Sequence, residues 1–457
     1  MKLKKQIIVF IIFIVIFYGE IVFLQAEINY EQLTAKYEKQ LSQNWFKFGI
    51  KRQLSILYHN WAHELTEKGL WEEAITKQTR AYQLQPQEAI IKNALAYYYN
   101  GYALELREKK YFQEAVINLK EAINYASEQS QIKKNLAVVY VDMANEEFHL
   151  AEYMRCENFL KEAELQDPEN AYLYVLKGEV DYVQDNYYFA QENWEKALQI
   201  NPHLSAVKLK LEKLKNEKNI EKNFNVQEVE HFRLKFEGLD NRKLADKAAA
   251  ILRDAYREVG QDFSCFPQQV IPVIIYPKKE LKKLDYFPDW AAGTYDGKIR
   301  IGEDLAIMGK NGLQMNSVLF HEYTHVIIRL LGGDNVPLWL NEGLAECQAQ
   351  KFKNLEEKRA RQILLKLALK NNTLFSLDQL GAMNLMKLLA LSGKSIELVY
   401  AQSESFVSYL IERASYYDIR NLLGRLGEGE NIYKAVKDVL FVELEVLEKN
   451  WKADVLQ

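Results

Sequence analysis

The chain has 457 residues, 48% hydrophobic and 27% charged. That is the balance of ordinary folded protein, and it is too long for one core, so two or three domains are expected. A formal net charge of −4 gives no sign of a nucleic-acid or polyanion partner, and the three cysteines form no Cys-x-x-Cys and no even framework. Cys156, Cys265 and Cys347 each read as a small buried thiol, with a Cys265–Cys347 bridge open to an exported domain.

The N-terminus pairs "MKLKK" with the apolar run "IIVFIIFIVIFY" (7–18), which resumes as "IVFL" (21–24) after Gly19 and Glu20. A basic flank followed by such a run is an export signal or an anchor. The best cleavage site, "LQA" before Glu27, has Leu where a small residue is preferred. The reading is therefore a signal anchor over 1–26, with a single span at 7–24 in the cell membrane and the body outside the cytoplasm. Secretion after cleavage is the alternative. Residues 27–50 read as a helical connector.

An internal repeat occupies 51–215. Small residues recur at Ala74, Ala115, Cys156 and Ala190, and alanine follows each by seven, at Ala81, Ala122, Ala163 and Ala197. Proline comes five further on in three units, at Pro86, Pro168 and Pro202. Small side chains let helix backbones approach, and proline stops the second helix of each unit. The pattern resembles the tetratricopeptide repeat (TPR), whose unit is 34 residues of paired helices. The offsets here are 41, 41 and 34. Seven extra residues are about two helical turns, so a longer first helix would keep the packing in phase. Such a solenoid implies a concave surface for a protein or peptide partner. "HNWAH" (59–63) within it places two histidines four apart but has Asn where a base would stand, and reads as structural or surface.

"LEKLKNEKNIEKNFN" (211–225) reads as a trailing helix running into a linker. The texture then changes. "QQVIPVIIYP" (268–277) is β-branched and bounded by proline, a buried strand. Asp296-Gly297 is a turn signal, and Lys298, Ile299, Arg300 and Ile301 alternate, as in an exposed edge strand to which an extended substrate could add itself. From 353 to 457 the pattern is helical.

"HEYTH" (321–325) lies in an apolar run. On a helix, His321 and His325 share a face and can offer two imidazole nitrogens to one metal, with Glu322 beside them to act on a bound water. Zinc needs a third protein ligand and leaves one open position. Asn316 or Ser317 could cap this helix and Gly332-Gly333 could end it. No histidine follows 325, but "PLWLNEGLAE" (337–346) offers Glu342 on a second predicted helix.

"HEYTH" with "WLNEGLAE" resembles the gluzincin clan of zinc metallopeptidases, and "VYAQSESFVSYLIER" (399–413) with "ELEVLEKNW" (443–451) resembles the helices of its peptidase-MA-like group. The likeness covers about 225–451. It implies one Zn2+ per chain held by His321, His325 and Glu342, with Glu322 as general base and proton shuttle. It also implies that Glu346 orients His321, and it makes Tyr400 a candidate oxyanion donor. The Gly-x-Met-Glu-Asn stretch of aminopeptidase relatives is missing upstream; "GAMNL" (381–385) is downstream and lacks the glutamate, which points toward an endopeptidase. The expected fold is multidomain α + (α+β): a TPR-like solenoid, a gluzincin-like catalytic subdomain with a small mixed sheet (225–352), and a C-terminal helical subdomain (353–457). A binding scaffold with a silent zinc domain is the alternative function.

Overall fold

A computed structural model describes residues 29–43, 48–238, 241–281, 283–284, 293–304, 313–384, 387–388 and 390–456. The chain divides into two compact units, 1–135 and 136–457, and the division falls within one helix of the repeat array.

The first unit is helical. α1 (Tyr30–Gln43) packs on α2 (Phe48–Glu67), which pairs with α3 (Trp71–Leu84). α4 (Ala89–Glu108) pairs with α5 (Phe112–Tyr125), and α6 (Ser130–His149) begins here. The small residues of the repeat sit where helices meet: Ala74, Ala81, Ala115 and Ala122 are completely buried. His59 Nδ1 contacts Gln78 Oε1 at 3.1 Å, so it is structural, whereas His63 is an exposed surface residue.

The second unit continues the array with α7 (Tyr153–Gln166), α8 (Ala171–Val183) and α9 (Tyr187–Ile200), followed by α10 (Ser205–Ile220). Cys156, Ala163, Ala190 and Ala197 are again completely buried. The first helices α4 and α6 have 20 residues and α8 has 13, so the seven-residue difference lengthens the first helix. The linker expected to end 211–225 does not form. A turn of 3-10 helix (Glu221–Asn223) leads directly into the first strand.

The sheet is small and mixed. β1 (Phe224–Val229) and β2 (Phe232–Glu237) form a hairpin; β2, β3 (Ile271–Tyr276) and β5 (Ile299–Gly302) run parallel; β4 (Gly293–Tyr295) is antiparallel to β5. The order β1-β2-β3-β5-β4 leaves β1 and β4 at the edges. Phe232, Leu234 and Phe236 of β2, with Val273, Ile275, Ile299 and Ile301, face one core. Over it lie α11 (Arg242–Phe263) and α13 (Leu313–Gly332), after the short α12 (Lys278–Leu281). α14 (Leu338–Ala349), α15 (Leu355–Lys370), α16 (Leu377–Gly381), α17 (Gly393–Arg413), α18 (Tyr416–Gly427), α19 (Ile432–Leu440) and α20 (Leu444–Leu456) complete the chain.

The expectation of an exposed edge strand at 298–301 is overturned. β5 is interior, and Lys298 and Arg300 are completely buried. Their face is covered by side chains of the last repeat. Lys298 Nζ lies 3.4 Å from Asp185 and about equally over the rings of Tyr182 (4.1 Å) and Tyr187 (4.0 Å). Arg300 Nη2 reaches Glu217 at 3.4 Å and the Tyr182 hydroxyl at 3.1 Å, and Nη1 pairs with Asp296. Lys235 of β2 bridges Asp185 (2.6 Å) and Glu221 (3.0 Å). Buried charges are tolerated only when paired in this way.

The expected cell-membrane localisation is also corrected. Among the described residues no helix is long and apolar enough to cross a membrane. The run at 7–24 lies outside the described residues. The three cysteines are free thiols, Cys156 buried and Cys265 and Cys347 half-buried.

Candidate metal centre

α13 is amphipathic in a specific sense. Leu319, Phe320, Tyr323, Val326 and Ile327 are buried in the core. His321, Glu322, His325, Ile328 and Arg329 recur at helical spacing on the side that lines a cavity of about 320 Å³. The helix starts at Leu313, so Asn316 and Ser317 lie inside its first turns and are not its cap. Its end is as expected: Gly332 is the last residue and Gly333 adopts φ +59°.

After a short connection, α14 brings Leu338, Asn341 and Glu342 to the same cavity. α14 lies tightly against α17 because of Gly343: a Cβ there would meet the Ser403 carbonyl oxygen at 2.5 Å and Val407 at 2.4 Å. α17 in turn supplies Tyr400 to the cavity wall. Edge strand β4 closes the remaining side with Gly293, Thr294 and Tyr295. A side chain at 293 would sit 2.7 Å from Glu322 Oε1, so glycine lets the strand pass directly over that carboxylate.

Three ligand atoms converge. His321 Nε2 and His325 Nε2 stand 3.1 Å apart, and Glu342 Oε2 lies 3.4 Å from the first and 3.7 Å from the second. Atoms about 2.0–2.1 Å from a tetrahedral zinc are about 3.3 Å from one another, so this triangle is the size a zinc ion requires. Hydrogen bonding fixes one tautomer. His325 Nδ1 donates to Asn341 Oδ1 at 2.8 Å, which leaves the lone pair on Nε2. His321 Nδ1 faces the Glu346 carboxylate, with Oε1 at 3.6 Å, too far for a direct hydrogen bond. The two Nε2 atoms and the buried Glu342 Oε2 point at one another. Such an arrangement is repulsive unless a cation or a proton lies between them. The residues fit a zinc ion.

Without a cation, a proton takes that place. Burial opposes charge on His321, but Glu342, Glu346 and Glu322 outweigh it and raise its pKa to about 9. Burial lowers His325, against the pull of Glu342. Burial raises Glu322 to about 8, with His321 opposing and Glu342 and Glu346 adding to it. Glu346 is different. Burial would raise it, yet His321, Arg361 and Lys353 bring it to about 2. Arg361 Nη1 contacts it at 2.6 Å, Lys353 contacts it as well, and Arg361 also pairs with Glu404 of α17. Burial first, then the Glu342, Glu346 and Glu322 carboxylates, push the Tyr400 phenol far above its ordinary range, so it stays protonated.

The structure thus gathers His321, Glu322, His325, Glu342 and Tyr400 around one cavity, with Glu346 directly behind His321. Sequence reasoning missed Asn341, the partner of His325, although it stands beside Glu342 in "NEG". It also missed the Arg361–Lys353–Glu404 group behind Glu346, which has no local signature.

Residues 253–457 match the family model of the Peptidase MA superfamily. Over this segment, less than half of the chain, the sequence is similar to the Peptidase MA superfamily. With the paired helices before it, the architecture is a TPR-like helical array followed by a peptidase-MA-like domain. Among solved structures, the chain is similar to a thermophilic TPR protein of Thermus thermophilus, at 16% identity over 40% of this chain and 90% of that chain, TM-score 0.19. It is also similar to YrrB, described as a TPR protein with an unusual peptide-binding site, at 17% identity, 39% and 99% coverage and TM-score 0.20. A tetratricopeptide repeat protein from Parabacteroides merdae is similar at 15% identity, 76% and 98% coverage and TM-score 0.26. No curated protein matches the chain.

Proposed function

We propose that the chain is a zinc-dependent metallopeptidase that cuts within peptide chains, with the repeat array docking its protein substrate. The observation that carries this reading is the triangle of His321 Nε2, His325 Nε2 and Glu342 Oε2, with Asn341 hydrogen-bonded to His325 and the Glu346 carboxylate facing His321. His321, His325 and Glu342 would hold the zinc. When bound, it would supply Lewis-acid polarisation of a carbonyl and lower the pKa of its water to about 7.

The chain's own residues provide the rest. Glu322, buried at the cavity and overlaid by Gly293, takes a proton from the attacking water and returns it to the leaving amine. Tyr400, kept protonated by burial and then by its carboxylate neighbours, donates to the oxyanion of the tetrahedral intermediate. Among the described residues β4 is an edge strand beside the cavity, so an extended substrate backbone adds to Gly293–Tyr295 rather than to β5. Binding along an edge strand does not require a chain terminus, which favours internal cutting.

Metal analysis of the purified chain should find one zinc per chain. Stripping it with a chelator should abolish cleavage of a mixed peptide library, and zinc should restore it. A chain that cuts equally well without metal would contradict the reading.

A further inference from the structure

One helical turn beyond His325 stands Arg329, in the wall of the same cavity. Its side chain is only 17% exposed, and its Nε is buried without a hydrogen-bond partner. Its ion-pair contact is long: Nη1 is 3.9 Å from Asp334 Oδ1, while Asp334 Oδ2 is taken by His149 Nδ1. A guanidinium offers five donors in a planar fork, and leaving them unmatched in a shielded place is costly. The group is nevertheless held firmly. Phe148, at the end of α6, packs under it with the guanidinium carbon 5.4 Å from the ring centroid. Burial works against its charge, and the nearby Asp334 and Asp296 carboxylates favour it. A fixed, shielded, under-bonded cation facing a cavity is built for an anion, and its fork matches a carboxylate.

We infer that Arg329 binds a carboxylate of the substrate, making this a peptidase for acidic sequences. The position sets the spacing. Four residues along α13 is about 6 Å, or about two residues of extended chain at about 3.3 Å each. The acidic group therefore lies about two residues from the bond that is cut. Phe148 and His149 belong to α6, so the last turn of that helix supports Arg329 and Asp334. The inference rests on the peptidase reading, and its test separates the two.

The test uses the zinc-loaded full chain and C-terminally amidated peptides that differ only in carrying Glu or Gln two residues before or after the cut. A further Gln peptide has a free C-terminal carboxylate two residues beyond the cut. Cleavage efficiency is compared for the wild type, Arg329→Gln and Arg329→Lys. Peptide affinity is measured separately on Glu322→Gln, with and without Arg329→Gln, which needs no turnover. The Glu peptide should be preferred about tenfold or more in both measurements. Arg329→Gln should erase that preference, and Arg329→Lys, which keeps the charge, should retain part of it. A gain confined to the free-carboxylate peptide would identify the chain terminus as the source. Cleavage with no carboxylate preference, or a preference that survives Arg329→Gln, would overturn the role of Arg329 and leave the peptidase reading standing. Carboxylate-selective binding without any cleavage would do the reverse.

Discussion

Asn341 Oδ1 accepts a hydrogen bond from His325 Nδ1 at 2.8 Å. The amide oxygen can only accept, so this contact decides which imidazole nitrogen of His325 carries the proton. Nε2, facing His321 and Glu342, is left free to bind a metal. Asn341→Ala should therefore lower zinc affinity by about 10–100-fold, the usual effect of removing a group that orients a metal-bound histidine. Competition against a zinc chelator reads this directly, and an unchanged affinity would show that the contact does not matter.

Arg300 and Glu217 are both completely buried, 3.4 Å apart at the face where the last repeat meets the sheet. Removing one member of a buried pair leaves the other uncompensated. Arg300→Met should cost about 3–5 kcal/mol in denaturant unfolding. Adding Glu217→Gln should recover part of the loss. A neutral Arg300→Met would mean that the pair contributes nothing to cohesion.

Asp296 belongs to the same group of charges. Burial would raise its pKa, but Arg300, Lys213 and Lys298 hold it well below the usual carboxylate range. A depressed carboxylate adds stability above its unfolded pKa of about 4, and that stability is lost as the pH falls toward the folded value. The wild type should melt above Asp296→Asn near neutrality, and the gap should close in acid. A gap independent of pH would contradict this account.

What the sequence disclosed follows from how local each signal is. "HEYTH" is legible because residues four apart share a helix face, and Glu342 follows on the next helix. The lengthened α4 and α6 were legible because seven residues make about two helical turns. The alternation at Lys298–Ile301 misled because it reads as one wet face. The groups that bury it, Asp185, Tyr187 and Glu217, lie some 80 to 110 residues earlier, and no local pattern announces them. The helix cap failed for a simpler reason: α13 begins at Leu313, before Asn316. Arg329 resembles an ordinary basic residue near a helix C-terminus, and only the cavity reveals what it faces.

Tyr400 lines the cavity opposite α13 and keeps its proton. If it stabilises the oxyanion, Tyr400→Phe should reduce kcat by about 10²–10³-fold with little change in KM, as for loss of one oxyanion donor. A fall in stability with kcat unchanged would make Tyr400 a packing residue.

The central claim concerns Glu322 as the group that moves the proton. The most direct measurement sets zinc content and peptide cleavage side by side in the full chain and in Glu322→Gln. The account predicts one zinc per chain in both proteins and cleavage products only from the wild type. Products from Glu322→Gln at the wild-type rate would contradict it.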